Sequence, residues 1–174
     1  MLSRVHALDL RIDAWVERIR GPRLDPVLYR LSSAADHGLL WLLVGASRAA
    51  RRGDPGIALR MGAALGVESL VTNGPVKAMF RRVRPESDHP PEGPLPYGLH
   101  RPVTSSFPSG HAASAFTAAT LLAGGPATPM WFALAAMVAS SRVYTRMHHT
   151  SDVVAGAALG VALGVAARRL LPLD

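Results

Sequence analysis

The 174-residue sequence contains no cysteine. Without thiols the chain can form neither a disulfide framework nor a thiolate metal site, and it has no cysteine nucleophile. Aromatic residues are also scarce, at 6%, although hydrophobic residues make up 49% of the chain. Alanine, glycine, leucine and valine supply most of this fraction, and such a composition suits helices that pack closely in lipid. The length predicts one domain with a hydrophobic core.

Acidic residues are fewer than basic ones, with 12 Asp and Glu against 19 Lys and Arg, and the formal net charge is +7. A basic chain can bind nucleic acid, but this sequence has no zinc-ligand spacing, no aromatic RNA-binding motif and no basic recognition helix. The charges instead cluster in short segments between apolar runs. This pattern predicts a membrane protein whose basic residues meet anionic lipid head groups, and it excludes nucleic acid as the expected partner.

Residues 1–24 are predicted to form an amphipathic interfacial helix followed by a break at Gly21 and Pro22. Apolar residues recur at helical spacing, and charged residues occupy the other side. The apolar positions are Val5, Leu8, Ile12, Trp15, Val16 and Ile19. Such a helix lies in the membrane surface and does not span it. The alternative is a surface helix of the soluble type that packs on a core.

Residues 25–174 are predicted to form a membrane-embedded domain, giving an all-α fold of about five spans plus the interfacial helix. A bend is expected at Asp36–Gly38, and residues 86–107 form a proline-rich loop. The predicted spans begin near Ser33, Ile57, Ser109, Pro129 and Ser151. The last contains Gly156, Gly160 and Gly164, a stripe of small residues that allows close helix approach. Glu68 in the second span is interpreted as a partner for Arg60 or as a polar group facing the bundle.

The segment from Ser141 to Asp152 carries the residue types of an anion site. His148 and Asp152 are four residues apart, so on a helix the carboxylate can accept the imidazole N–H and leave the other ring nitrogen with a lone pair. Arg142 can hold an anion beside that nitrogen in a planar fork. The alternative is that these residues only extend to the membrane interface from the ends of apolar helices.

Two further segments supply positive charge and a helix N-terminus. Lys77 and Arg84 are seven residues apart and would share one face of a continuing helix, although basic residues also commonly flank membrane helices. Ser109 is placed to cap the helix that follows, and the backbone N–H groups beyond it can bind a phosphate. Gly110 lets an oxyanion approach the backbone, and His111 can donate or remove a proton.

Together these three segments resemble the signature of the type 2 phosphatidic acid phosphatase superfamily, which includes bacterial lipid phosphate phosphatases and vanadium haloperoxidases. The pattern is K-x6-RP, then PSGH, then SR-x5-H-x3-D. This sequence has it at Lys77, Arg84 and Pro85, at Pro108 to His111, and at Ser141, Arg142, His148 and Asp152. The resemblance extends from about residue 25 to residue 171.

The resemblance implies a role for each matching residue. His148 would attack phosphorus to form a phosphohistidine, with Asp152 holding its tautomer, and His111 would protonate the leaving alkoxide and then activate water. The phosphate oxygens would be bound by Lys77, Arg84, Ser109, Gly110 and Arg142. The reaction would need no metal and no cofactor. Arg146, where many relatives have small or apolar residues, is expected to contact a second phosphate or a lipid head group.

The resulting hypothesis is a phosphatase acting on a lipid monophosphate or pyrophosphate in a bacterial plasma membrane. A polyprenyl carrier of cell-envelope synthesis and a phospholipid are both candidate substrates. Basic residues at the end of the bundle opposite the motifs predict an outward-facing site by the positive-inside rule. Five arginines of the N-terminal segment favour the opposite orientation, although nearby acidic residues partly offset them: Arg4, Arg11, Arg18, Arg20 and Arg23. The alternatives are a vanadium-dependent haloperoxidase-like enzyme and a non-catalytic lipid-binding or transport protein. The oligomeric state does not follow from the sequence.

Overall fold

The computed structural model describes residues 2–85 and 104–173. Within these ranges the chain forms seven α-helices and no β-strand. The helices are α1 (Leu2–Ile19), α2 (Asp25–Ala34), α3 (Leu39–Arg52), α4 (Pro55–Val71), α5 (Gly110–Leu122), α6 (Thr128–Tyr144) and α7 (Thr150–Leu170). The predicted all-α fold is confirmed. Most of the proline-rich loop, residues 86–103, lies outside the described residues.

The chain between α2 and α3 makes the bend that the sequence predicts at Asp36–Gly38. This segment is a short 3₁₀ turn in which His37 and Gly38 have φ angles of 53° and 72°. Glycine adopts this left-handed conformation without steric cost. Because the turn separates the two helices, α3 begins at Leu39. The helix expected to run from near Ser33 therefore begins at Leu39, and the start of the first span stays a prediction.

The chain leaves α4 through a π-helical turn, Thr72–Val76, at the Asn-Gly-Pro sequence. Pro75 lacks the N–H that an α-helix would need here, so the regular hydrogen-bond ladder cannot continue. Helical structure ends before Phe80, and residues 80–85 have no regular secondary structure. The sequence predicted that Lys77 and Arg84 share one face of a continuing helix. This prediction is wrong, because the helix ends between them.

The centre of the bundle is α5, which packs on α7, α6 and α4. A Cβ atom at Gly156 would collide with the carbonyl oxygen of Ser109, and one at Gly160 with that of Ala113. The glycine stripe of α7 thus lets the two helices approach to backbone contact, as predicted. This contact places the first turns of α5 and α7 side by side.

Large apolar side chains lie exposed on the outer faces of several helices, as in a protein surrounded by lipid. Leu59 and Leu70 of α4 are 75% and 74% exposed, and Leu170 of α7 is 80% exposed. Among the described residues one helix, Thr150–Leu170, is long and apolar enough by itself to cross a membrane. The number of spans and the interfacial position of α1 stay predictions.

Candidate active site

A cavity of about 620 Å³ opens at the end of the bundle where α4 and α6 finish and where α5 and α7 begin. Six residues predicted from the sequence line it together. They are Lys77, Arg84, Gly110, His111, Arg142 and His148. The cavity also receives Asp36, Asn73 and Ser114 from three different parts of the chain. Three cationic side chains thus share one space with the imidazoles of His111 and His148.

The hydrogen bonds of His148 determine its tautomer. Nδ1 lies 2.7 Å from the carbonyl oxygen of Ser106, which can only accept, so Nδ1 carries the hydrogen. Nε2 therefore has the lone pair, and it lies 3.3 Å from Nη1 of Arg84. Burial of the ring, with the charges of Arg142 and Arg84, lowers the pKa of His148 to about 3 despite the carboxylate of Asp152. The ring is therefore neutral near pH 7, and Nε2 keeps its lone pair.

Asp152 does not make the direct hydrogen bond to His148 that the sequence predicted. Its Oδ2 lies 3.8 Å from His148 Nδ1, which is beyond hydrogen-bond distance. Its oxygens instead accept from the backbone N–H of His149 at 2.9 Å and from Nη1 of Arg82 at 2.6 Å. Because Asp152 lies in the first turn of α7, it is used to cap that helix. Asp152 is still near enough to stabilise positive charge on the imidazole.

Each cation at the cavity is held by an oxygen acceptor in the protein. Arg142, only 1% exposed, donates from Nη1 to the hydroxyl of Ser32 in α2. Lys77 Nζ donates to Oδ1 of Asn73 at 2.8 Å. Arg84 Nη1 donates to the carbonyl oxygen of Met147 at 2.6 Å. These bonds fix the positive groups before a ligand arrives, so an anion entering the cavity meets preorganised charge.

The N-terminus of α5 forms one wall of the cavity at Gly110. A Cβ atom there would lie 3.3 Å from Oδ1 of Asn73 and 3.9 Å from Nζ of Lys77, so a side chain would narrow the anion site. Ser109 caps the helix as predicted, and its hydroxyl oxygen accepts the N–H of Ala112 at 3.4 Å. However, Ser109 is fully buried and does not line the cavity, so its predicted phosphate contact is not seen.

His111 has a partner that sequence reasoning missed. Its Nε2 lies 2.7 Å from Oδ1 of Asp36, in the turn between α2 and α3. Burial opposes the ionisation of Asp36, but the hydrogen bond from His111 and the nearby charge of Arg142 lower its pKa below the usual value. The sequence signal is a polar Asp-His-Gly turn between apolar segments, which by itself predicts only a bend.

Arg146 does not line the cavity, so its predicted contact with a second phosphate or a lipid head group stays a prediction. The residue has a φ angle of 58°, and its Nη1 lies 3.7 Å from Oδ1 of Asp13 in α1. His149 also faces α1, where its Nδ1 lies 2.8 Å from Oδ2 of Asp13. His149 is thus bound outside the cavity, whereas its neighbour His148 lines it.

Glu68 is buried in α4 and faces the bundle, as one of the two interpretations predicted. It accepts hydrogen bonds from Thr72 Oγ1 at 2.8 Å and from Ser114 Oγ at 2.5 Å. The other interpretation, an ion pair with Arg60, is wrong because Arg60 binds Asp54 at 2.8 Å. Ser114 lines the cavity, so Glu68 lies directly behind its wall.

Comparison with known proteins agrees with the motif and the cavity. The family model of the PAP2 superfamily matches residues 57–173. The chain belongs to the PAP2 superfamily. It is 34% identical over 137 residues to decaprenylphosphoryl-5-phosphoribose phosphatase of Mycobacterium tuberculosis, covering 77% of this chain and 73% of that protein.

Two solved structures share the fold. One is the transmembrane PAP2-type phosphatidylglycerolphosphate phosphatase of Bacillus subtilis, with a TM-score of 0.75, 25% identity and coverage of 96% of this chain and 86% of that one. The other is LpxE of Aquifex aeolicus, with a TM-score of 0.74, 25% identity and coverage of 93% and 95%. The predicted family and the helical membrane architecture are therefore confirmed.

Proposed function

We propose that this PAP2 protein is a lipid phosphate phosphatase that works through a phosphohistidine on His148. The observation that carries the proposal is the lone pair on His148 Nε2, which faces a cavity shared with His111 and three cations. A neutral imidazole with a fixed tautomer is a nucleophile, and the cations attract the phosphoryl group that it would attack.

In the first step, Nε2 of His148 attacks phosphorus, and the bond from phosphorus to the lipid oxygen breaks. Burial and the charge of Arg142 lower the pKa of His111 to about 4, so this imidazole binds its proton as the anionic phosphate enters. The imidazolium then donates that proton to the leaving oxygen, so the lipid alcohol departs neutral. The imidazole of His148 gains positive charge when the N–P bond forms. That charge is stabilised by Ser106, whose carbonyl oxygen accepts the Nδ1–H at 2.7 Å, and by the Asp152 carboxylate at 3.8 Å.

In the second step, His111 removes a proton from water, and the resulting hydroxide attacks the phosphohistidine. The N–P bond breaks, inorganic phosphate leaves, and His148 returns to its neutral form. Asp36, which lies 2.7 Å from His111 Nε2, orients the imidazole and stabilises its protonated state. One group thus serves as the acid in the first step and as the base in the second.

The phosphoryl oxygens are bound by Lys77, Arg84, Arg142 and the backbone N–H groups at the start of α5. In phosphoryl transfer most of the catalytic effect comes from positioning and charge stabilisation, and fixed cations supply both. Side chains provide this positive charge, so the proposed mechanism contains no metal. Ser109 shapes the N-terminus of α5 and does not contact the phosphate.

The substrate is proposed to be a phosphate on a polyprenyl-linked lipid. The similarity to a decaprenylphosphoryl-5-phosphoribose phosphatase over most of both chains supports this class. A phospholipid phosphate, the substrate class named for the Bacillus subtilis phosphatase, would offer the same phosphoryl group to the same cavity. A panel of purified lipid phosphates distinguishes the two.

The cavity is proposed to face the outside of a bacterial plasma membrane. Arginines collect at the opposite end of the bundle, where Arg48, Arg51 and Arg52 of α3 meet Trp131 of α6 around a shared depression. Positive residues mark the cytoplasmic side of membrane proteins. Because the chain has no cysteine, Arg81→Cys at the cavity end and Ala50→Cys at the other end can be labelled separately in whole cells. Labelling of Ala50→Cys alone by an impermeant maleimide would contradict the orientation.

The function is tested by phosphate release from lipid phosphates in detergent, with and without EDTA. We expect wild-type turnover that EDTA does not alter, and no turnover or phosphohistidine with folded His148→Ala. His149→Ala is the matched control, because that imidazole is bound to Asp13 outside the cavity. Activity on water-soluble esters alone, retained turnover in His148→Ala, or loss in EDTA would each overturn the proposal.

A further inference from the structure

Helix α1 contributes two buried carboxylates to the end of the bundle that contains the cavity. Asp9 and Asp13 are 2% and 3% exposed, and they lie one helical turn apart. An ionised group is rarely buried unless it has partners. The partners of both lie at the start of α7, where Asp9 meets Ser151 and Asp13 meets His149.

Asp9 accepts three hydrogen bonds. Its Oδ1 accepts the backbone N–H of Ser151 at 2.9 Å, and its Oδ2 accepts the Ser151 hydroxyl at 2.6 Å. Oδ2 also accepts Nη2 of Arg82 at 2.6 Å. The other terminal nitrogen of Arg82, Nη1, donates to Asp152 Oδ1 at 2.6 Å. Arg82 therefore bridges a carboxylate of α1 and the carboxylate beside the nucleophile.

The backbone of Arg82 extends this connection to His148. Residues 80–85 have no regular secondary structure, so specific bonds must hold the segment in place. The carbonyl oxygen of Arg82 accepts the N–H of Ser106 at 3.0 Å. The carbonyl oxygen of Ser106 in turn accepts Nδ1–H of His148. Both groups that stabilise the His148 imidazolium, Ser106 and Asp152, are thus bonded to Arg82.

We propose that Asp9 is a positioning residue for the phosphoryl transfer, acting through Arg82 on Asp152 and Ser106. Asp9 does not line the cavity and contacts neither nucleophile nor substrate. It fixes the guanidinium of Arg82, which binds Asp152 directly, and it thereby anchors the residue whose backbone carbonyl binds Ser106. The proposal rests on the proposed phosphohistidine chemistry. It gives the N-terminal helix a role in catalysis that its amphipathic sequence does not show.

The main test replaces Asp9 by asparagine, which keeps the shape of the side chain and removes its charge. The matched control is Asp13→Asn, because Asp13 is equally buried on α1 but has no bond to Arg82. If Asp9 acts on the transition state, kcat of Asp9→Asn should fall by about tenfold or more, while KM changes by less than about twofold. Asp13→Asn should lose less than about threefold in kcat.

A double-mutant cycle with Arg82→Lys tests the route. Lysine keeps the charge but has one nitrogen, so it cannot bridge two carboxylates as the guanidinium does. If Asp9 acts through Arg82, adding Asp9→Asn to Arg82→Lys should lower kcat by no more than about twofold further. The proposal would be overturned if the two single-variant reductions in kcat multiplied in the double variant. It would also be overturned if Asp9→Asn and Asp13→Asn lost equal factors in kcat.

Folding is checked by circular dichroism and size-exclusion chromatography in detergent. If Asp9→Asn does not fold, Arg82→Lys alone tests the connection from Asp9 through Arg82 to Asp152. An unchanged kcat in Arg82→Lys refutes that connection, whether or not Asp9→Asn folds. Wild-type protein and His148→Ala are assayed first. An inactive wild type would refute the proposed function, whereas an active wild type with fully active Asp9→Asn would refute only the role of Asp9.

Discussion

Replacement of Arg84 by lysine tests the proposed anion clamp, because it keeps the charge and removes the planar fork. In the structure Nη1 donates to the Met147 carbonyl oxygen at 2.6 Å and lies 3.3 Å from His148 Nε2. Nη2 donates to the carbonyl oxygens of Thr104 and Ser105 at 3.3 and 3.4 Å. A single ammonium group cannot reach both sets of acceptors and also bind a phosphoryl oxygen in the place of Nη1.

The expected size of the effect follows from the bonds that lysine cannot make. Losing one hydrogen bond from a charged group costs about 1.5–3 kcal/mol. Because about 1.36 kcal/mol of activation free energy corresponds to a tenfold change in rate, kcat should fall roughly 10- to 150-fold. KM should change less, since the contact strengthens as charge redistributes in the transition state.

The assay is inorganic phosphate release from a saturating lipid phosphate in detergent. Arg81→Lys is the matched control, because Arg81 is exposed in the same segment. It undergoes the same chemical change without lining the cavity. A kcat for Arg84→Lys within about twofold of the wild type, or an equal loss in Arg81→Lys, would refute the reasoning.

Three further predictions concern packing, the second histidine and pH. Gly160→Ala should lower the free energy of unfolding by about 1–3 kcal/mol through overpacking. Thermal melting is compared with that of Gly66→Ala, because a Cβ at Gly66 meets open space. Equal melting temperatures in the two variants would contradict the prediction. Asp36→Asn should reduce kcat roughly 10²-fold by weakening acid–base catalysis at His111, and unchanged phosphate release would refute this pairing. Burial lowers the pKa of His148 from 6.5 to about 3. Between these two values the unfolded chain binds a proton that the folded chain does not, so the free energy of unfolding should fall as the pH drops from 6.5 to about 3. In His148→Gln the melting temperature should depend less on pH over this range, and an unchanged pH dependence would contradict the prediction.

The sequence predicted the residues of the site well where their chemistry depends on local structure. The serine that begins α5, the glycine beside it and the spacing from Arg142 to His148 all act within one helix end or one short connection. Their positions follow from helix caps and periodicity, which are properties of neighbouring residues. The same is true of the glycine stripe in α7, since its four-residue period places the small residues on one face.

The partners of these residues were not predictable from local patterns. Asp36 binds His111 across 75 residues, Ser106 binds His148 across 42, and Arg82 binds Asp9 across 73. The predicted bond from His148 to Asp152 failed because the tertiary fold gave the carboxylate other donors, Arg82 and the N–H of His149. The approach of Arg146 to Asp13 of α1 was likewise not predictable from local patterns.

The sequence by itself therefore determined the family, through motif residues at fixed spacings, and the helical fold, through periodicity and caps. It also identified six residues that the structure brings to one cavity. Only the tertiary structure decided which nitrogen of His148 has the lone pair, what holds His111, and how α1 reaches the site. Those outcomes depend on long-range hydrogen bonds between buried polar groups, and each group takes whichever partner the packed helices bring within about 3 Å.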